Sequence, residues 1–597
     1  MSEDRKLEPF AEIPESFKGL KDEGVYYVDK TAFIPFLIEQ KRKICVFTRP
    51  RRFGKTLMLR TLQAFFEYVV DAEGKPVDNL HYFEGLNVMN AGANVLKEMG
   101  QYPVISLSFK NVWGDTYEKT VSMLNDAVCK ACVSHGRLLM ASGKLSDVHS
   151  AWLQTYMDGN ASDDNLQKFL GMYTQWLKDV TNRETVILID EYDVPLQKAA
   201  IHDMHHPGDG LFDKTVSLIG QFISSGYKSN DNLAYGIIAG CMRVAKESIF
   251  TGMNNPGVID VTTMLPDEFW GFTEADVRKM LAYYNIEEEY PEIERWYDGY
   301  NFGGRKVFNP WSLLSAIRGL VNGEGDGAIQ VYWGTTSGND IIDDVIERNP
   351  QHREIIEKLM NGETITAIIY KNLSYRDLKK NPDTIWSFLL YTGYLKALRV
   401  YKNEYDLLEA EVTIPNTEVK TLIRTSLQNW WKNIKLSKYD ANTLVHALIR
   451  GDAASAEREL RIVLNDSTSV FDYNEAFYHG MLVGLLGNIA IVRSNDEYGE
   501  GRPDIVAIAE NFGIILEVKC VTPNALTQAL KSHPGMDEDD LVDELCDIQL
   551  NEAQRQIVSR KYIRGVLRHE PLAREVLSYA VCFCRKWCVI RAVEEKM

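Results

Sequence analysis

The chain has 597 residues, 45% of them hydrophobic and 25% charged, enough apolar material for about three or four separate cores, so disorder and collagen-like repetition are excluded as descriptions of the whole. Its 66 Lys+Arg against 84 Asp+Glu give a formal net charge of -18. This excludes coating of nucleic acid or anionic membrane by bulk charge and demands a local basic patch for any polyanion. Nine cysteines, scattered from Cys45 to Cys588, read as reduced thiols rather than a disulfide framework. The start, MSEDRKLEPF, lacks an apolar signal core, and no run nears the roughly 18 apolar residues of a spanning helix. A cytoplasmic protein with no membrane segment is therefore expected.

In chain order, the apolar runs ICVFT, PVISLSF, TVILID and AYGIIAG alternate with longer helical segments between Ile44 and about Gly240, which predicts a parallel sheet with helices on both faces over residues 1–265. Cys129 and Cys132 fall in a helical run, and IHDMHHPGDG, with His202, His205 and His206, reads as an exposed loop. At Thr273 a Thr with an Asp three places on precedes an apolar helical repeat, the signature of a capped helix opening a helical lid over 266–340. Within 341–435, helices precede the strand-like runs LKALRVYK and YDLLEAEVTIP, split at Asn403; a winged-helix module or a plain connector fits this order. Residues 436–597 run helix, two strands, helix and a terminal strand carrying Cys582, Cys584 and Cys588, the outline of a small α/β domain.

The first chemical signal follows the strand ICVFT, where Arg49-Pro-Arg-Arg-Phe-Gly54-Lys55-Thr56 leads into the helical run LMLRTLQAFF. Backbone N–H groups at such a helix start cradle phosphates, Lys55 reaches the terminal phosphates and the Thr56 hydroxyl ligates Mg2+. Arg52 and Gly54 join this nucleotide-binding set, although Arg49 stands where the first Gly of the common pattern would be. The run TVILIDEYD ends in Asp190, assigned to assist the metal, and Glu191, assigned to orient and activate water. Arg243, just past the next strand, is placed to sense the γ-phosphate or simply to begin a helix at the surface. Lys41 to Arg60 carry eight basic residues and no acid, a local polyanion site.

The second signal is Gly501-Arg502-Pro503-Asp504 followed by Glu517-Val518-Lys519, with a turn near Glu510 making a hairpin. Strand alternation puts Glu517 and Lys519 on one face. Asp504 and Glu517 can share Mg2+, with Lys519 positioning or helping to deprotonate the attacking water. Glu475 is a further candidate ligand, His479 lines the same pocket or is a satisfied helix histidine, and Gln556 completes the polar rim. Against nucleic-acid binding stands the acidic run Asp537 to Asp540, read as a loop.

These residues resemble a family of bacterial proteins that join an AAA-ATPase-like domain to a C-terminal PD-(D/E)XK nuclease-superfamily domain. The resemblance is carried by Tyr27-Val-Asp-Lys-Thr31, RPRRFGKT, LIDEYD, RVAKESIFTGMNN, WYDGYNFGG and NPWS, then by EAFYHG, GRPD, EVK and AQRQIVSRKY. It implies ATP as ligand, with Asp29 and Lys30 near the adenine and Arg243 at the nucleotide. It also implies a restriction-endonuclease-like fold at the end, and Arg49 as usual at its position. The expected function is an ATP-binding and ATP-hydrolysing protein that controls Mg2+-dependent cleavage of DNA, with homo-oligomerisation as a means of control and phage or mobile-element defence as a setting. The alternative is a nucleotide-dependent switch or scaffold whose last domain binds nucleic acid or protein without cutting.

Overall fold

A computed structural model describes residues 16–70, 76–133, 135–242, 256–263, 268–323, 328–335, 350–360, 362–371, 373, 377, 381–433, 441–467, 475–487, 489–494, 496–533 and 535–593. It divides into two compact units, residues 1–336 with 362–421, and 337–361 with 422–597.

The first unit is built on five parallel strands: β1 (Ile44–Thr48), β2 (Val104–Ser108), β3 (Thr185–Asp190), β4 (Leu233–Gly240) and β5 (Gly257–Ile259). Their spatial order is β2-β3-β4-β1-β5. β1 and β3 are buried along their whole length, as parallel strands covered on both sides must be, and hence their unbroken apolar sequences. The register pairs Thr48 with Gly240 and Ser108 with Asp190. The loop after β1, the acids after β3 and the turn after β4 therefore lie on one carboxyl edge, where α/β sheets bind ligands. β5 is a three-residue strand that the sequence pattern does not announce.

Next in this unit, helix Glu274–Tyr284 opens with the expected capping box, Thr273 and Asp276 bonding reciprocally. The short hairpin Tyr300–Phe302/Arg305–Val307 and helix Pro310–Val321 follow. A three-stranded antiparallel sheet comes after them, with β6 (Ile365–Ile368), β7 (Lys396–Lys402) and β8 (Leu408–Thr413) in the order β6-β8-β7. Helix Thr384–Thr392 precedes its hairpin, whose turn is held by Asn403 Oδ1 accepting from the N–H groups of Tyr405 and Leu407.

The second unit carries a mixed five-stranded sheet in sequence order: β9 (Ile491–Ser494), β10 (Ile505–Ala509), β11 (Phe512–Cys520), β12 (Glu575–Cys584) and β13 (Trp587–Val593). Only β11 and β12 run parallel. One face, through Leu516 and Val518, packs on helices Ala441–Ile449, Ala453–Ser467 and Glu475–Leu486. The other, through Val506 and Ile515, packs on Ile557, Tyr562 and Val566.

Three expectations are corrected. The terminal strand is two, because Arg585 adopts φ 55° and turns the chain between Cys584 and Trp587. The histidine-rich stretch begins as helix, Val194–His205. The acidic run is the start of helix Glu538–Ser559 with Asp537 as its N-cap; carboxylates there are stabilised by the helix dipole, a reason for acids that the loop reading overlooked. No helix among the described residues is long and apolar enough to cross a membrane.

Candidate functional site

At the carboxyl edge of the parallel sheet the segment after β1 turns sharply. Arg52 has φ 69° and Gly54 φ 74°, a left-handed conformation that Gly adopts without a Cβ penalty, and Gly54 caps helix Lys55–Phe66. Arg49 is 1% exposed. Its guanidinium donates to the carbonyls of Thr48 at 2.7 Å and Ile259 at 3.2 Å and lies 4.9 Å from the Phe302 ring centre. It ties the end of β1 to the end of β5, which explains an Arg where a Gly would serve a different loop. Phe53 packs edge-on against Tyr300 and Phe302. Trp333 Nε1 donates to the Arg51 carbonyl at 3.4 Å, and buried Glu418 accepts the backbone N–H groups of Tyr332 and Trp333. Arg52 stacks 4.2 Å over Trp311.

Lys55 Nζ donates to the carbonyls of Arg49 at 2.9 Å and Pro50 at 2.7 Å, with Cys241 Sγ at 3.6 Å. Thr56 Oγ1 donates to Asp190 Oδ2 at 2.5 Å. The structure therefore brings Lys55, Thr56, Asp190 and Glu191 together. Burial raises the Asp190 carboxyl above its ordinary value, against the opposing Thr56 bond and Lys55 charge. Glu191 is raised by burial and then by Asp190. It sits at φ 53° with its N–H bonded to Asp190 Oδ1, a strained turn held by its surroundings.

Asp193, not singled out from sequence as a site residue, also belongs here. It is buried, and its Oδ2 accepts from the N–H groups of Cys241 and Met242 at 3.0 Å each. Tyr192 hydroxyl donates to the Met242 carbonyl. A Cβ at Gly240 would lie 2.6 Å from both Asp193 Oδ1 and Tyr192, so the acidic loop locks the turn after β4. The signal was legible in LIDEYD, where Asp193 stands three residues past Asp190. Arg243 lies outside the described residues.

Beside the loop after β1 an apolar cavity, partly open to solvent, is walled by Tyr27, Leu57, Phe269, Phe272 and Leu314, with Lys30, Arg52 and Gly54 on its lining. Lys30 Nζ is held by Asp276 at 2.6 Å and the Glu268 carbonyl at 2.9 Å. Asp29 is not part of this lining. Its oxygens accept from Thr31 N, Thr31 Oγ1 and Asn87 N, which makes it a brace for the wall.

In the second unit, Asp504 immediately precedes β10, and its Oδ2 accepts the Val518 N–H at 2.8 Å. Lys519 Nζ lies 3.4 Å from Glu517 Oε1, as the two-residue strand period requires. Glu517 is 0% exposed, and its Oε2 has no hydrogen-bond partner among the described residues. Burial, reinforced by Asp504, pushes its carboxyl up to about 7. Burial disfavours the Lys519 ammonium, but Glu517, Asp504 and Glu475 outweigh it and hold the pKa above the ordinary lysine value. Gln556 Nε2 reaches Tyr562 hydroxyl at 3.4 Å, which donates to the Arg502 carbonyl at 3.0 Å. His479 Nε2 lies 2.9 Å from the Asp504 carbonyl and 3.2 Å from Ser494 Oγ. It supports the strand end, and its charge acts on the Glu475 carboxyl one turn away. Glu475, at the start of its helix, is exposed. Among the described residues no group of three or more His, Cys, Asp or Glu is gathered as a metal cluster. The pair Asp504–Glu517 stands as a pair, and the unpartnered Glu517 oxygen beside it suits a cation.

Residues 14–250 match the model of a family described as Predicted AAA-ATPase. The match supports nucleotide binding, and the five-stranded parallel sheet, four of whose strands lie within those residues, is consistent with a P-loop-like ATPase domain. A protein of Azotobacter chroococcum mcd 1, described as an uncharacterized protein in the vnfD 5'region, is 26% identical over 368 residues. The alignment covers 60% of this chain and 59% of that relative, so it spans less than two thirds of either.

Proposed function

We propose that the chain binds and hydrolyses ATP in its first unit and uses nucleotide state to control Mg2+-dependent phosphodiester cleavage of DNA by Asp504, Glu517 and Lys519. The observation that carries this reading is the buried Glu517 carboxylate, whose Oε1 meets Lys519 while its Oε2 has no hydrogen-bond partner among the described residues. Lys519 meets one of the two oxygens, and the other keeps a desolvation cost that a further cation would relieve.

At the nucleotide end, Lys55 would exchange the Arg49 and Pro50 carbonyls for phosphate oxygens, and Thr56 and Asp190, now bonded to each other, would hold a metal. Glu191 orients the attacking water. The apolar cavity lined by Lys30 and Arg52 takes the base. At the other site Asp504 and Glu517 would hold the metal, with Glu475 as a further ligand at the rim. Mg2+, when bound, supplies the positive charge that stabilises the phosphorane-like transition state. Lys519, kept as an ammonium by its acidic neighbours, orients water and neutralises developing charge rather than accepting a proton. Gln556 and Tyr562 fix the segment that leads into Asp504.

The test is cleavage of plasmid and single-stranded DNA by wild type, Lys519→Ala and Lys55→Ala, with Mg2+ or Mn2+ and with or without ATP. Loss in Lys519→Ala and an altered ATP response in Lys55→Ala are expected. A second reading, a nucleotide-dependent switch whose last domain binds without cutting, is favoured by one observation: no three-residue metal cluster is gathered among the described residues. Divalent-metal binding that is absent in wild type, or is unchanged by Asp504→Ala, would select it.

A further inference from the structure

Residues 560–574 concentrate positive charge in an acidic protein. They hold Arg560, Lys561, Arg564, Arg568 and Arg574 against one acid, Glu570. That acid is already engaged, by the Tyr498 hydroxyl at 2.5 Å and by Arg493 at 3.6 Å. Arg560 donates to the Glu500 carbonyl, and Lys561 pairs with the Glu500 side chain. The other three arginines are exposed, and their side chains have no ion-pair or hydrogen-bond partner among the described residues.

Position gives this charge a direction. Helix Tyr562–His569 buries Tyr562, Gly565 and Val566 against the sheet, so Arg564 and Arg568, four residues apart, share its outer face about 6 Å apart along the axis. Its first residue, Tyr562, bonds the carbonyl of Arg502, two residues before Asp504. The line of cations therefore starts at the rim of the carboxylate pair. Arg574 continues it at the foot of β12, where its backbone N–H bonds the Asn511 carbonyl. A favourable interaction with the helix C-terminus accounts for Arg568 alone.

The preceding helix, Glu538–Ser559, shows the complementary arrangement. Its acids cluster in the first half, and three are occupied: Glu538 by Arg585 at 2.6 Å, Asp543 by Trp587 at 3.0 Å and Asp547 by Arg591 at 2.7 Å. Asp540 lies about 24 Å along the helix from Gln556 at 1.5 Å per residue. The helix start itself packs through Leu541 and Val542 on Val521, two residues past Lys519, so the repulsion that its sequence suggests is lessened by the pairing of these three acids.

We infer that the ridge Arg564, Arg568 and Arg574 is a docking surface for the phosphate backbone of duplex DNA, leading the strand to Asp504 and Glu517. The inference deepens the cleavage reading and rests on it for the identity of the site. Duplex rather than single strand is favoured because residues 560–574 expose no Phe, Tyr or Trp: Tyr562, their one such ring, is 1% exposed. Single-strand binders stack bases on exposed rings.

The test measures binding of a short labelled DNA duplex, with single-stranded DNA and RNA of the same sequence as further arms, by anisotropy without divalent metal. Full-length Lys519→Ala protein serves as background, so cleavage plays no part. Combining Arg564→Gln, Arg568→Gln and Arg574→Gln is expected to weaken duplex binding roughly 100-fold near 0.1 M salt. The slope of log affinity against log salt should fall by about 0.9 per arginine removed. A control carrying Lys130→Gln, Lys168→Gln and Lys228→Gln changes net charge equally and is expected to bind as the background does. Equal weakening in both triple variants, an unchanged slope, no binding by the background protein, or tighter binding of either single strand overturns the inference. Ridge-dependent duplex binding without metal-dependent cleavage by wild type leaves the ridge standing and defeats the cleavage reading instead. Thermal unfolding confirms that the exposed substitutions leave the fold intact.

Discussion

The phosphate-loop end of the first unit and the carboxylate pair of the second are both acidic sites with a lysine, yet they treat their charges differently. At the first, Lys55 is bonded to two carbonyls, Thr56 to Asp190, and Asp193 to the turn after β4. At the second, Glu517 keeps a buried oxygen with no donor among the described residues. At the first site Lys55 and Thr56 are engaged by protein groups, a resting arrangement that a ligand must exchange for new bonds, although Asp193 Oδ1 is buried there with no hydrogen-bond partner among the described residues. A site with an orphaned carboxylate holds stored electrostatic cost that a cation relieves.

The largest effects come from removing each lysine. Lys519→Ala should lower DNA cleavage about 100- to 1,000-fold, the range for losing one preorganised charge stabiliser, and leave ATP hydrolysis intact. Lys55→Ala should lower ATP hydrolysis by a similar factor, read by phosphate release. If both variants lose both activities equally, the contrast between the sites fails. Next is Arg49→Ala, which strands the Thr48 and Ile259 carbonyls and should cost about 3 kcal/mol of stability in denaturant unfolding.

Glu517→Gln sharpens the comparison. The folded protein keeps the Glu517 proton up to about pH 7, whereas the unfolded chain releases it near the ordinary value of about 4.3. Stability should therefore fall as pH rises between those values, with the full cost present above 7. Glu517→Gln should accordingly stabilise the metal-free protein at pH 8 by on the order of 1–3 kcal/mol and abolish the stabilisation that added Mg2+ gives wild type. A thermal melt with and without metal checks both signs. Smallest is Thr273→Ala, which removes the capping box and should cost about 1 kcal/mol without altering either activity.

Much of this was legible. Continuous apolar runs announced β1 to β4 because parallel strands buried on both faces leave no polar alternation. Thr273 and Asp276 announced their helix because capping is local chemistry. The two-residue spacing of Glu517 and Lys519 translated directly into a shared face. What escaped was non-local. Arg49 makes sense only beside Ile259, and Asp193 only beside Cys241 and Met242. The acids from Asp537 to Asp547 looked repulsive until Arg585 and Arg591, far along the chain, came back to meet two of them, Glu538 and Asp547. The three-residue β5 is too short for any periodicity to register.

The braces of the phosphate loop have a consequence for biosynthesis. Trp333, which bonds the Arg51 carbonyl, follows it by 282 residues, and Glu418, which holds Trp333, comes 85 residues later still. At translation rates of about 5–20 residues per second, a nascent chain waits roughly 20–70 s between emergence of the loop and of its last brace. During that interval the ribosome-bound protein carries a loop whose walls are still being made, so the loop gains its full set of braces with the first unit rather than with its motif.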